Sequence, residues 1–164
     1  MRILTLGNEL LRQKARPVKT IGPEYLKIAE DLIDTLHAGG GIGLAGPQVG
    51  ILERIFTVHV EGDVPRIFIN PSIIETSQET LKFEEGCLSI PGIFTDVIRP
   101  GTVKIQAWNE KGRTFTLEAS AILARVILHE YDHLEGLLFI DRISEHKRKR
   151  ILARIEKTAA KQKV

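Results

Sequence analysis

Ala121-Ile122-Leu123-Ala124-Arg125-Val126-Ile127-Leu128-His129-Glu130-Tyr131-Asp132-His133 is the stretch on which the reading of this chain turns. Apolar residues recur through it at helical spacing, and Ser120 ahead of it is expected to cap the N-terminus, so the pattern predicts a helix. Four residues span little more than one helical turn, which puts His129 and His133 on one face, about a turn apart. Two imidazoles so placed can reach one divalent metal, with Glu130 beside it as a candidate general base. The plain alternative is a pair of surface histidines on an ordinary helix.

A third ligand separates these readings. Metzincin-type sites continue His-x-x-Gly-x-x-His, and the chain follows that path to Gly136 before placing Phe139 where the third histidine belongs, which excludes the class. Glu145 or Glu156 could serve a thermolysin-like site, but both stand among lysines and arginines that suit a solvated helix. The remaining soft ligand is Cys87, the single cysteine, in Glu84-Glu85-Gly86-Cys87-Leu88-Ser89. A lone cysteine is commonly a small buried hydrophobe. Here Gly86 permits close backbone approach, and a turn-like Ser89-Ile90-Pro91-Gly92 follows. Cys87, His129 and His133 would make an open site of three protein ligands. One thiolate among them leaves less positive charge to acidify water than three histidines would, so Glu130 is needed to take a proton.

The third informative stretch is Gly39-Gly40-Gly41-Ile42-Gly43-Leu44-Ala45-Gly46-Pro47-Gln48-Val49-Gly50. It holds a literal Gly-x-Gly-x-x-Gly, yet a dinucleotide site needs a strand before it and a helix after it. Here a helix precedes, and Pro47, Gly50 and the β-branched run beyond are poor helix starters. A loop rich in positive φ, or one holding backbone close to a ligand, fits better, and Gln48 is then a neutral amide donor aimed at a reacting carbonyl.

Gly41-Ile42-Gly43-Leu44-Ala45-Gly46-Pro47-Gln48, Glu85-Gly86-Cys87-Leu88-Ser89 and His129-Glu130-Tyr131-Asp132-His133 together resemble the three signature motifs of bacterial peptide deformylases, in that family's order and at similar separations. The likeness extends over essentially the whole chain. Two departures stand out: Gly46 replaces the family's usual alanine, and Leu128 replaces a usual glutamine before the first histidine. The resemblance implies a metal-dependent hydrolase that removes the N-formyl group from the initiator methionine of new polypeptides. It further implies Fe2+ as the working ion, with Zn2+ or Ni2+ able to occupy the same Cys87/His129/His133 set. By the same mapping, the Gln48 side chain and the Leu88 backbone N–H donate to the oxyanion. Ile42, Gly43, Gly86 and Val126 border the methionine pocket, with Arg99 nearby. From the residues alone, a small metallo-endopeptidase and a non-catalytic peptide-binding module stay open. Glu130 beside all three ligands favours an enzyme.

With 164 residues, 43% hydrophobic, one catalytic domain over 1–164 with a substantial core is expected. No run of about 18 apolar residues and no signal-peptide pattern occurs, so no membrane partner is expected. A single cysteine excludes an internal disulfide and suits a reducing, cytoplasmic setting. The fold class expected is α+β: antiparallel sheets packed around the central metal-binding helix, with an N-terminal helix over 23–36 and a basic C-terminal helix at about 144–163. On the first helix Tyr25, Ala29, Leu32, Ile33 and Leu36 share a face. Strands are expected at 54–60, 66–69 and 78–83, with a hairpin of 102–108 and 113–117 around Asn109-Glu110-Lys111-Gly112.

Polar residues outside the motifs read more plainly. His37 closes a helix, His59 alternates with valines on a strand and should face solvent, and His146 lies in a charge run. Asp132 could orient a partner of the site, and Arg125 reads as a solvated arginine at the cleft rim. The tail is distinctive. From His146 onward eight lysines and arginines oppose only Glu156, giving +7 in a chain of net +2 and leaving −5 on the rest. Ile151, Leu152 and Ile155 form an apolar stripe on that helix. Two readings of it stay level: a solvated terminal helix, or a surface for the RNA phosphates of the ribosome, with no sequence-specific nucleic acid recognition.

Overall fold

A computed structural model describes residues 1–161; the end of the predicted basic helix, including Lys163, lies outside the described residues. The chain forms α1 (Glu24–Gly39), β1 (Gly43–Ala45), β2 (Ile55–Val58), β3 (Arg66–Thr76), β4 (Thr80–Cys87), β5 (Ile90–Pro100), β6 (Thr102–Trp108), β7 (Thr114–Ser120), α2 (Ala121–Leu134) and α3 (Glu145–Lys161). Short 3-10 turns stand at Glu9–Arg12, Gly46–Val49 and Phe139–Arg142. One antiparallel sheet runs β1-β2-β3-β6-β7, and β4-β5 forms a second. This is the α+β arrangement expected, with α2 at its centre.

The first helix buries Tyr25, Ala29, Leu32 and Leu36 as expected, while Ile33 is only partly covered. Pro23 stands just outside as the cap residue. The helix stops because Gly40 adopts φ 69°, and its N–H bonds the His37 carbonyl at 3.1 Å. Against the five-stranded sheet lies a core of Phe56, Phe68, Ile105, Val126 and Ile127. The Phe56 and Phe68 rings stack with centroids 4.7 Å apart. Ile90, Ile93, Val97, Leu138, Phe139 and Ile140 form a further core, and Ile151, Leu152 and Ile155 pack on it. The apolar stripe thus docks α3 and leaves its charged side outward.

The second helix is enclosed. From Ala124 through Glu130 every residue is buried, because sheet strands cover one side and the β4–β5 hairpin the other. Ser120 occupies the cap position, but its side chain makes no capping hydrogen bond among the described residues. Instead the chain enters α2 through Ala121 at φ 52°, whose N–H bonds the Gly101 carbonyl.

Two strands escape the sequence reading. Ser89-Ile90-Pro91-Gly92 looked like a turn, yet β5 begins at Ile90 and runs to Pro100. A two-stranded sheet tolerates Pro91 because one side of each strand needs no partner. β1 lies in what reads as pure loop; it pairs Gly43 with Val58 and Ala45 with Phe56. β3 also runs past the expected 66–69, interrupted by a register shift near Asn70 at φ 48°. No helix among the described residues is long and apolar enough to cross a membrane.

Candidate metal centre and active site

The three motifs converge although Gln48 and His133 stand 85 positions apart in the chain. The ligand atoms of Cys87, His129 and His133 all lie within 4.8 Å of one another. Cys87 comes from the end of β4 and both histidines from α2, so the hairpin and the helix must pack together for the set to exist. Sγ of Cys87 is 3.4 Å from Nε2 of His133. His129 donates from Nδ1 to Glu85 at 2.8 Å, which leaves Nε2 for another partner. This donor set suits a borderline divalent cation and could hold one, with a position left open.

Glu85 anchors the arrangement. It is buried, and it accepts from Arg99 Nε at 2.7 Å and Nη2 at 3.0 Å, from Arg125 Nη1 at 2.8 Å and from His129. Burial works against its ionisation, but the hydrogen bonds from His129 and Arg99 win and hold the carboxyl well below the usual carboxylate range. Arg99 continues the network to Asp132 at 2.8 Å, and Asp132 binds Arg142 at 2.6 Å. Burial also pushes His133 well below its ordinary value, which keeps the ring neutral and ligand-ready.

Glu130 is buried at 3% exposure beside the triad. Burial pushes its carboxyl up to about 7; His129 and Arg99 oppose this, and Glu85 and Asp132 reinforce it. Its Oε2, like Nδ1 of His133, has no hydrogen-bond partner among the described residues. A carboxylate so poised can take or return a proton near neutrality. Gln48 is held with equal definition. Its Oε1 accepts from Ala45 N–H at 2.8 Å, so its amide nitrogen faces Ser89 Oγ at 3.1 Å and Cys87 Sγ at 3.5 Å. The donor therefore points into the site.

A cavity of about 540 Å³ opens over these groups. Ile42, Gly43, Gln48, Gly86, Cys87, Leu88, Val126, His129 and Glu130 all line it, which brings together most of the residues singled out in the sequence. His133, buried behind the other two candidate ligands, and Arg99 are not in the lining. Arg99 is 4% exposed and lies behind Glu85, so it supports His129 from beneath and does not border the pocket. The glycines make room: a Cβ on Gly43 would stand 2.8 Å from Cδ of Glu130, and one on Gly41 would stand 2.8 Å from Cδ1 of Leu88.

Arg125 corrects the sequence reading. It is 5% exposed and donates to Glu85, to the Val97 carbonyl at 2.7 Å and to the Leu81 carbonyl at 2.6 Å. An arginine inside the apolar run Ile122–Leu128 was the available signal, because such a group is desolvated and demands a carboxylate. Glu85 was quoted only as part of a motif; its place as the common acceptor needed the fold. His59 also differs, being half-buried against His37 and not simply solvent-facing. Leu128, at the family's glutamine position, is 8% exposed and joins the main core.

A profile of the polypeptide deformylase family matches residues 1–149. A peptide deformylase of Clostridium botulinum is 50% identical over 139 residues, covering 85% of this chain and 93% of that one. One from Neisseria meningitidis is 43% identical over 159 residues, covering 96% and 95%. Among solved structures, a peptide deformylase from Ehrlichia chaffeensis superimposes with a TM-score of 0.92 at 32% identity, over 99% of this chain and 98% of that one. A Synechococcus elongatus enzyme, solved in complex with actinonin, reaches a TM-score of 0.89 at 37% identity, over 96% and 87%. Relatives this similar, aligned over nearly the full length, leave one assignment: the chain belongs to the polypeptide deformylase family, metal-dependent hydrolases that remove the N-formyl group from nascent peptides.

Proposed function

We propose that Cys87, His129 and His133 hold the ion and that Glu130 is the general base and acid of the reaction. The observation carrying this is the Cys/His/His set with a buried carboxylate at its side whose Oε2 has no hydrogen-bond partner among the described residues. When bound, the cation supplies Lewis acidity toward the formyl carbonyl and the attacking water. Glu130 takes a proton from that water and returns it to the leaving amine. The Gln48 amide and the Leu88 backbone N–H donate to the oxygen that becomes negative. Ile42, Gly43, Gly86 and Val126 border the methionine side chain, and Arg99 acts through Glu85 by fixing the His129 ring.

The ion in the cell is Fe2+, with Zn2+ or Ni2+ competent to replace it. Ligand softness admits iron and zinc alike, so this choice rests on the family. The chain works as one catalytic domain in the cytoplasm, where formylated peptides emerge, and α3 docks on the ribosome. Its outward lysines and arginines support that reading, since they would meet RNA phosphates in a salt-dependent way.

An anaerobic assay on formyl-Met-Ala-Ser beside acetyl-Met-Ala-Ser tests reaction and substrate together. Formate release from the first and no hydrolysis of the second is expected. Equal hydrolysis of both, or of neither, overturns the reading.

A further inference from the structure

His37, in the last turn of α1, and His59, just beyond β2, meet outside the cleft. Nε2 of His37 lies 2.7 Å from Nδ1 of His59, with the rings 5.0 Å apart and tilted by 53°. The other nitrogen of His59, Nε2, is 3.0 Å from the carbonyl oxygen of Asp63. A carbonyl only accepts, so Nε2 carries the His59 proton and Nδ1 presents its lone pair toward His37. A backbone carbonyl that fixes the far N–H in this way is the support that metal-ligating histidines use. His37 is exposed, so water can shuttle its proton from Nε2 to Nδ1 and turn a second lone pair to the same point.

We propose that His37 and His59 form a second, surface metal site that takes one borderline divalent ion of the zinc, nickel or copper class, with water filling its other positions. Imidazole nitrogens suit these ions. Bonds of about 2.0–2.1 Å to a tetrahedral ion put two ligating nitrogens about 3.3 Å apart, so the rings need to part by roughly half an ångström. The pair brackets the glycine run. The His37 carbonyl accepts from Gly40 N–H at 3.1 Å, and His59 N–H donates to the Ile42 carbonyl at 2.9 Å. Gly40, Gly41 and Ile42 line the active-site cavity. An ion between the two rings ties the ends of that wall together without touching the catalytic groups.

The test uses untagged holoenzyme dialysed against excess Zn2+ at neutral pH, with total metal per chain measured for wild type, His37→Ala and His59→Ala. Wild type should gain a second equivalent, both variants should lack it, and both should keep near-normal deformylation without added zinc. Addition of Zn2+ should also shift the imidazole nitrogen NMR signals of His37 and His59. A wild type that holds one equivalent only, or a second equivalent that persists in either variant, overturns the proposal.

Discussion

Gly43→Ala should cripple turnover while leaving the metal in place. Gly43 is not one of the glycines with positive φ, so alanine meets no backbone strain there. The obstacle is space. The new methyl would overlap Oε1 of Glu130, stand 2.8 Å from its Cδ and stand 2.8 Å from Cγ1 of Val126. Carbon atoms settle at about 3.5–4.0 Å, so the Glu130 carboxylate must retreat by about 1 Å. A displacement of that size costs about 100-fold in rate, or about 2.7 kcal/mol of transition-state stabilisation. None of the three ligand residues is touched, so metal per chain should stay at the wild-type level. Overpacking should lower stability by about 1–3 kcal/mol. The measurements are kcat/KM on formyl-Met-Ala-Ser, metal analysis and calorimetry. Gly43→Ala/Val126→Ala separates the two clashes, because it relieves the valine and not the carboxylate, and turnover should remain low. A Gly43→Ala protein with full metal and kcat/KM within about threefold of wild type would refute the reasoning, since that is well short of the 100-fold loss.

Glu130→Gln should bind metal normally and lose about 100- to 10,000-fold in kcat, and near-normal turnover in a fully loaded variant removes Glu130 as the base; Cys87→Ala should instead lower metal occupancy. Arg125→Met strips a donor from Glu85 and two carbonyls, which at about 3–5 kcal/mol should lower Tm by about 10 °C, and a calorimetric shift below about 3 °C would show that the network is not structural. Deleting the residues after Arg154 should weaken co-sedimentation with ribosomes and spare turnover of a free formyl-tripeptide; unchanged, salt-insensitive binding makes the tail a solvated face. Activity of the enzyme with its cellular metal should decay in air and be protected by catalase, because Fe2+ and a thiolate oxidise, whereas an air-stable enzyme fully active on zinc alone argues against iron.

The candidate ligand histidines and the candidate base were legible in the sequence because their chemistry is local. His129 and His133 share a helix face by spacing alone, Glu130 lies between them, and Cys87 was the one soft ligand left to complete the set. The amphipathic face of α1 and the β6–β7 hairpin were legible for the same reason, since periodicity and turn residues act over a few positions. What joins distant segments was not. β5 hid behind Pro91 and Gly92, whose local preference for turns yields to pairing with β4 along nearly its whole length. Arg125 read as solvated because burial of a charge depends on whether a carboxylate arrives from elsewhere, and Glu85 reaches it across 40 positions of chain. The same packing raises the Glu130 carboxyl, since desolvation is a property of the assembled neighbourhood and not of the residue. Sequence chose the chemical groups; the docking of the β4–β5 hairpin against α2 decided their ionisation, their orientation and the room left for a substrate.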